Sequence, residues 1–182
     1  MKNLNDEKKE FSKLLNLLWR NGEFKEAKEL LLNQVNIFPF EYFLWTSLAQ
    51  TCSGLCEYKM ELEYSTKAIN LCKNDVLVIY NHIGALEDNG FYQEALPYCQ
   101  KILRKTIKEI ALTGESIKWA KSIRNDTLFL KAVSLFNIGE YEKTYRILYK
   151  LLKQRQRGIY SDFSKKQICE LIKKTLQLME YK

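Results

Sequence analysis

Apolar residues recur at spacings of three and four along most of the chain, as in Phe11, Leu14, Leu15 and Leu18, then Ala27, Leu30 and Leu31, and later Ile168, Leu171, Ile172, Leu176 and Met179. This period gathers them on one face of an α-helix and leaves polar residues on the other. Together with the turn signals between them, the stripes predict nine helices, at about 6–20, 24–37, 41–53, 57–72, 76–89, 92–112, 115–137, 141–155 and 164–180. The run Ser164-Lys165-Lys166-Gln167 has the spacing of a capping box and marks the start of the last one.

The helices come in pairs with a fixed period. The aromatic just after the turn falls at Phe24, Tyr58 and Tyr92, 34 residues apart each time, while Gly22 and Gly90, like Ala27 and Ala95, stand two periods apart. Trp45 and Ile79, and Leu31, Ser65 and Cys99, keep the same register. A unit of this length with a bulky residue early, Gly-x-aromatic at the turn, Ala soon after and Pro at its end resembles the tetratricopeptide repeat (TPR). The resemblance implies an all-α fold: a TPR-like solenoid of helical hairpins wound as a right-handed superhelix with a C-terminal capping helix. It would make 1–182 a single domain, with repeats at about 8–41, 42–75, 76–112 and 115–157 and the cap at 161–182. The physics agrees, because one amphipathic hairpin cannot bury its stripes alone and must stack on neighbours, small residues such as Ala49 and Gly84 allowing close approach. Departures from the family pattern are Glu61 and Thr144 in the small Ala slot, Cys56 in place of the turn Gly, and Lys73 where Pro39 leads one to expect Pro.

A fourth turn, Gly139 and Tyr141, comes 49 residues after the third instead of 34, so a segment is inserted ahead of it. That segment, QKILRKTIKEIALTGESIKWAKSIRNDTLFL, holds one turn signal, Thr113-Gly114. Either both flanking helices run on by about two turns, or RNDT breaks the second and leaves Ser116 to Ile123 as a separate short helix. Between Lys101 and Arg124 the cations Lys101, Arg104, Lys105, Lys108, Lys118, Lys121 and Arg124 face only Glu109 and Glu115, so most of the formal net charge of +7 sits on this hairpin. Such a surface suits an acidic partner, with Trp119 as an aromatic anchor; the plainer reading is a solvated helix face with Trp119 packed inward. A second group, Lys150, Lys153, Arg155, Arg157, Lys165 and Lys166, flanks the loop before the last helix, where the helix dipole favours cations in any case.

In the resembled family the inner helix of each pair lines a concave groove that takes an extended or helical segment of another protein. The resemblance puts Lys13, Asn16, Arg20, Thr46, Gln50, Asn81 and His82 on that wall, with Phe129 and Val133 continuing it. One subclass grips the terminal carboxylate of chaperone peptides with a fixed set of Lys, Asn and Arg. Only Asn16 fits that set, with Ser12, Ser47, Val78 and His82 in the other slots, so this clamp is not expected. The small three-repeat chaperones of bacterial secretion systems have a comparable length, and nothing here identifies their client motif.

Composition narrows the class further. With 182 residues, two Pro and seven Gly, the chain can bury a core and does not read as disordered or linker-rich. No apolar run approaches the roughly 20 residues that span a bilayer, and the N-terminal stretch lacks the long apolar region of a secretory signal. Cys52, Cys56, Cys72, Cys99 and Cys169 match no disulfide framework, so reduced, mostly buried thiols in the cytoplasm are expected. A zinc site would need His82, the sole histidine, plus cysteines in paired spacing, and that spacing is absent. A Cys52 nucleophile with His82 as base has no sign of an oxyanion hole, and no Gly-rich phosphate loop occurs, so neither cofactor nor catalysis is expected. The expected function is a non-enzymatic scaffold or adaptor that binds another protein or peptide of acidic character through the groove and the basic hairpin. A stand-alone inhibitor or immunity-type protein, or a secretion chaperone, is a narrower form of it. Nucleic-acid binding through the basic surfaces, consistent with a pI near 9.0, is the alternative from another class, although no base-stacking platform or reader motif accompanies the charge.

Overall fold

The computed structural model describes residues 4–114, 116–154 and 159–180, and among them every regular element is a helix. The helices gather into two compact units, Met1–Cys72 and Lys73–Lys182. The first holds α1 (Leu4–Asn21), α2 (Phe24–Ile37), α3 (Tyr42–Gly54) and α4 (Tyr58–Leu71). Its core joins Leu15 of α1, Ala27, Leu31 and Val35 of α2, Leu44, Leu48, Ala49 and Cys52 of α3, and Tyr64 of α4, whereas Leu14 of the first predicted stripe is exposed. Trp19 and Trp45 pack against this core, and each places its indole N–H on a partner: Trp19 donates to Thr51 Oγ1 at 3.0 Å and Trp45 to the Pro39 carbonyl at 2.7 Å. The rings are thereby partly buried without stranding their polar edge.

The turn that revealed the period is a recurring Schellman motif. At Gly22, Gly90 and Gly139 φ is 77°, 78° and 83°, and Cys56 adopts 58° at the equivalent place. Each of these residues donates its N–H to the carbonyl three residues back, and the next residue donates to the carbonyl five back: Glu23 to Leu18, Glu57 to Cys52, Phe91 to Leu86 and Glu140 to Leu135, all at 2.8 to 2.9 Å. The motif satisfies the last carbonyls of one helix and reverses the chain into the next. Four hairpins are thus closed by the same local device, although one of them lacks the glycine that makes left-handed backbone cheap.

The second unit holds α5 (Val76–Asp88), α6 (Tyr92–Leu103), α7 (Ile107–Leu112), α8 (Ile117–Asn137), α9 (Tyr141–Gln154) and α10 (Lys165–Glu180). Asp75 caps α5 by accepting from the N–H groups of Leu77 and Val78 at 2.8 and 3.1 Å. The capping box expected at Ser164 is present: Ser164 Oγ accepts from Gln167 N–H at 3.2 Å and Gln167 Oε1 from Ser164 N–H at 2.7 Å. Ile168 of α10, with Leu171 and Ile172, closes over Phe129, Ala132, Leu148 and Leu151 of α8 and α9.

The insertion differs from both sequence expectations, and the helix expected over 92–112 is two helices. Thr106 forms a full capping box with Glu109, which stops α6 at Leu103 and starts the six-residue α7, so the described residues hold ten helices instead of nine. α8 is continuous through Arg124–Thr127, so RNDT does not break it. It takes up about half of the extra length, beginning eight residues before the point that the 49-residue offset from α5 would set, and α7 with its turns takes up the rest.

Candidate partner-binding surface

The basic insert is assembled from helix ends. Leu103 closes α6, Arg104 follows as its cap residue, and Lys105 returns its N–H to the Ile102 carbonyl at 3.0 Å. Ile110 is fully buried and anchors α7, whereas Leu112 is 85% exposed at its tip. The chain turns at Thr113-Gly114 and re-enters at Ser116, whose Oγ caps α8 through the Trp119 N–H at 3.1 Å. The Trp119 ring lies against Gly114 so closely that a methyl group added at Gly114 would fall inside it. Trp119 is therefore half-buried as a clamp on the turn, which is the inward-packed alternative for this residue.

Arg104, Lys108 and Lys118 are exposed; Lys101, Lys105, Lys121 and Arg124 are half-buried. Lys101 Nζ donates to the Lys73 carbonyl and Arg124 Nη1 to the Lys105 carbonyl, both at 2.6 Å. Glu109, the described acid among these cations, is engaged by its own helix: the Thr106 N–H donates to its Oε2 at 2.6 Å and holds its carboxyl below the ordinary carboxylate value. Glu115 lies outside the described residues. Among the described residues no ion pair reaches Arg104, Lys105, Lys108 or Lys118. A cavity of about 430 Å³ opens between Ile107, Lys121, Arg124, Asn125, Leu128, Gln154 and Ile159, mixing apolar walls with two of the cations.

Of the residues expected on a groove wall, Lys13, Asn16 and Arg20 on α1 and Gln50 on α3 are exposed. Asn81 is half-buried, its amide donating to the Leu77 carbonyl at 2.9 Å. Thr46, His82 and Phe129 are instead buried, with exposures of 5%, 5% and 7%. Thr46 bonds back to the Tyr42 carbonyl, His82 meets the Tyr98 ring edge-on at 4.8 Å, and Phe129 stacks on Phe163 at 4.3 Å, so these side chains serve the interior. Val133 packs into the same cluster as Phe129. In the second basic group, Lys153 lies over the Tyr149 ring at 4.4 Å, while Lys150, Lys165 and Lys166 are exposed; Arg155 and Arg157 fall outside the described residues.

Two buried carboxyls, Glu87 and Asp126, have no counterpart among the sequence expectations. Burial pushes Glu87 up to about 8, and Ser134 donates a hydrogen bond to it. Asp126 is buried on α8 and accepts from Ser161 Oγ, from the Asp162 N–H at 3.3 Å and from Ser122 Oγ at 3.4 Å; burial raises its pKa. Burial also pushes the Cys52 and Cys99 thiols up to about 12 and holds His82 down at about 4, the opposite of what a thiolate nucleophile and its base require. Among the described residues no three His, Cys, Asp or Glu side chains converge to hold a metal ion, and no helix is long and apolar enough to cross a membrane.

No protein-family model matches the chain, and no curated protein matches it. Solved structures do. MamA from Desulfovibrio magneticus RS-1, residues 41 to the end, is 15% identical with a TM-score of 0.62, covering 96% of each chain. A double mutant of MamA RS-1 is 16% identical with a TM-score of 0.59, covering 95% of this chain and 94% of that one. The chain shares the helical-repeat fold of MamA, a protein of tetratricopeptide type. The likeness to MamA is one of fold.

Proposed function

We propose that this chain is a non-enzymatic interaction scaffold that binds an acidic segment of another protein through the basic insert between α6 and α8. The observation that carries the reading is the charge imbalance of the insert: its described acid, Glu109, is spent on capping α7, while Arg104, Lys105, Lys108 and Lys118 have no ion pair among the described residues. Exposed Arg104, Lys108 and Lys118 and half-buried Lys105 hold no local structure together through their side chains and keep their potential for an incoming carboxylate. The adjoining cavity adds apolar contact from Ile107, Leu128 and Ile159, which a purely electrostatic surface would lack. A helical-repeat fold suits this use, because stacked hairpins present long rigid surfaces. Lys13, Asn16, Arg20 and Gln50, exposed in the first unit, offer polar contacts of their own to an extended segment of another protein. The five free cysteines fit a reducing compartment such as the cytoplasm.

The test is a pull-down from nuclease-treated native extract, with the parent chain and with the combined variant Arg104→Glu, Lys105→Glu and Lys108→Glu. A stoichiometric protein should be retained by the parent at moderate salt and lost, by roughly tenfold or more in affinity, with the variant. Unchanged affinity at low salt would remove the insert from the account, because long-range charge effects are largest there. Retention that disappears with nuclease would move the basic surface to nucleic acid, with the steep salt dependence of counterion release.

A further inference from the structure

The Lys73–Lys182 unit carries a second concave surface, a groove of about 530 Å³ flanked by α6 and α9 with α8 packed against both. Leu96, Leu135, Ile138 and Ile147 supply its apolar part, and Lys131, Lys143 and Arg146 its charge, against Glu140 as the acid among the described residues that line it. Lys143 pairs with Glu140 at 3.0 Å and Arg146 with Glu142 at 2.5 Å. Both pairs are exposed, and exposed pairs are weak enough to exchange with an incoming carboxylate. Lys131 is half-buried and has no ion pair among the described residues.

We propose that this groove docks the apolar face of an acidic amphipathic helix from a partner protein. The shape argument comes from the chain itself: α10 lays Ile168, Leu171 and Ile172 onto α8 and α9 in this manner, showing that the spaces beside these helices accept a helix with anchors three and four apart. The charge argument excludes a second copy of α10 as occupant. Its Lys165, Lys166, Lys173 and Lys174 outnumber Glu170 and Glu180 and would bring a net positive charge to Lys131, Lys143 and Arg146, whereas a helix whose anchors are flanked mostly by Asp or Glu would meet all three. The proposal does not depend on the basic insert.

A random-peptide display library selected against the full chain tests it, and the tightest peptide is then measured by fluorescence polarisation. Enrichment of Leu or Ile at i, i+3 or i+4, and i+7 among Asp and Glu is expected. Lys131→Gln, Lys143→Gln and Arg146→Gln together, and Ile138→Glu separately, should each weaken the peptide about tenfold or more. The insert variant carrying Arg104→Glu, Lys105→Glu and Lys108→Glu should bind it as the parent does. The charge-neutral variant adds no volume and buries no new charge, and it decides the matter if Ile138→Glu melts early. Selection of neutral or basic peptides, absence of any binder sensitive to the groove variants, or loss of binding confined to the insert variant would each overturn the proposal.

Discussion

Glu87→Gln should stabilise the protein at neutral pH and do little in acid. Glu87 lies on α5 with 9% exposure, and burial lifts its carboxyl from the ordinary 4.5 to about 8, opposed by the Ser134 hydroxyl that donates to it and reinforced by the Asp88 carboxylate. An acid raised in this way keeps its proton in the native chain while the unfolded chain releases it. Its contribution is therefore least costly below pH 4.5, and stability falls as the pH climbs towards 8. At roughly 1.4 kcal/mol per pH unit, the loss by pH 7 is about 3 kcal/mol. Glutamine has the shape and neutrality of the protonated acid and still accepts from Ser134, so the variant should escape that loss. Urea melts of parent and variant at pH 4.5, 6, 7 and 8.5, followed by tryptophan fluorescence, give the difference directly. Subtraction also removes His82, whose pKa near 4 makes its own contribution on the acid side. A difference that stays flat with pH, or a variant less stable than the parent at pH 7, would show that Glu87 is ionised and paired in the native chain.

Cys56→Gly should raise stability by about 0.5 to 1 kcal/mol in a urea melt, because the left-handed φ of 58° strains a side chain there, with part of the gain offset by the looser unfolded chain. A maleimide pulse should label exposed Cys56 first and leave Cys52 and Cys99, fully buried with thiols pushed up to about 12, until the chain opens; early labelling of either would contradict their burial. Asp126→Ala should strip acceptors from Ser161, the Asp162 N–H and Ser122, costing about 2 kcal/mol and exposing the 159–164 segment to limited proteolysis before the rest of the chain.

The parts of the fold legible in the sequence were those set by local chemistry. Gly22, Gly90 and Gly139 announced the turns because only a left-handed residue closes a Schellman motif cheaply, and Cys56 was readable only through the register of the others. The boundaries of α2 and the capping box at Ser164 followed for the same reason. At the insert, Ile102, Leu103, Ile107 and Ile110 continue a helical stripe across the real break, so periodicity could not see it; the signal was the Thr106-x-x-Glu109 spacing. Burial at the candidate site was less legible because distant partners decide it. Phe129 is covered by Phe163 from the linker ahead of α10, and Glu87, which reads as an ordinary surface acid of a helix, is enclosed with Ser134 of α8.

That separation between local and distant causes bears on the insert, where structure and proposed binding use different atoms. The turn of α6 into α7 depends on Thr106 with Glu109, on buried Ile110, and on the Lys105 carbonyl that receives Arg124. None of these is the side chain of Arg104, Lys105 or Lys108. Reversing those three charges should therefore leave the melt within about 0.5 kcal/mol of the parent, since a glutamate at 105 keeps the carbonyl. Thr106→Ala, which removes the cap and keeps every cation, should cost about 1 kcal/mol. If the charge reversal destabilised the chain more than Thr106→Ala does, the cations would be holding the insert together, and their exposure could no longer be read as a surface kept for a partner.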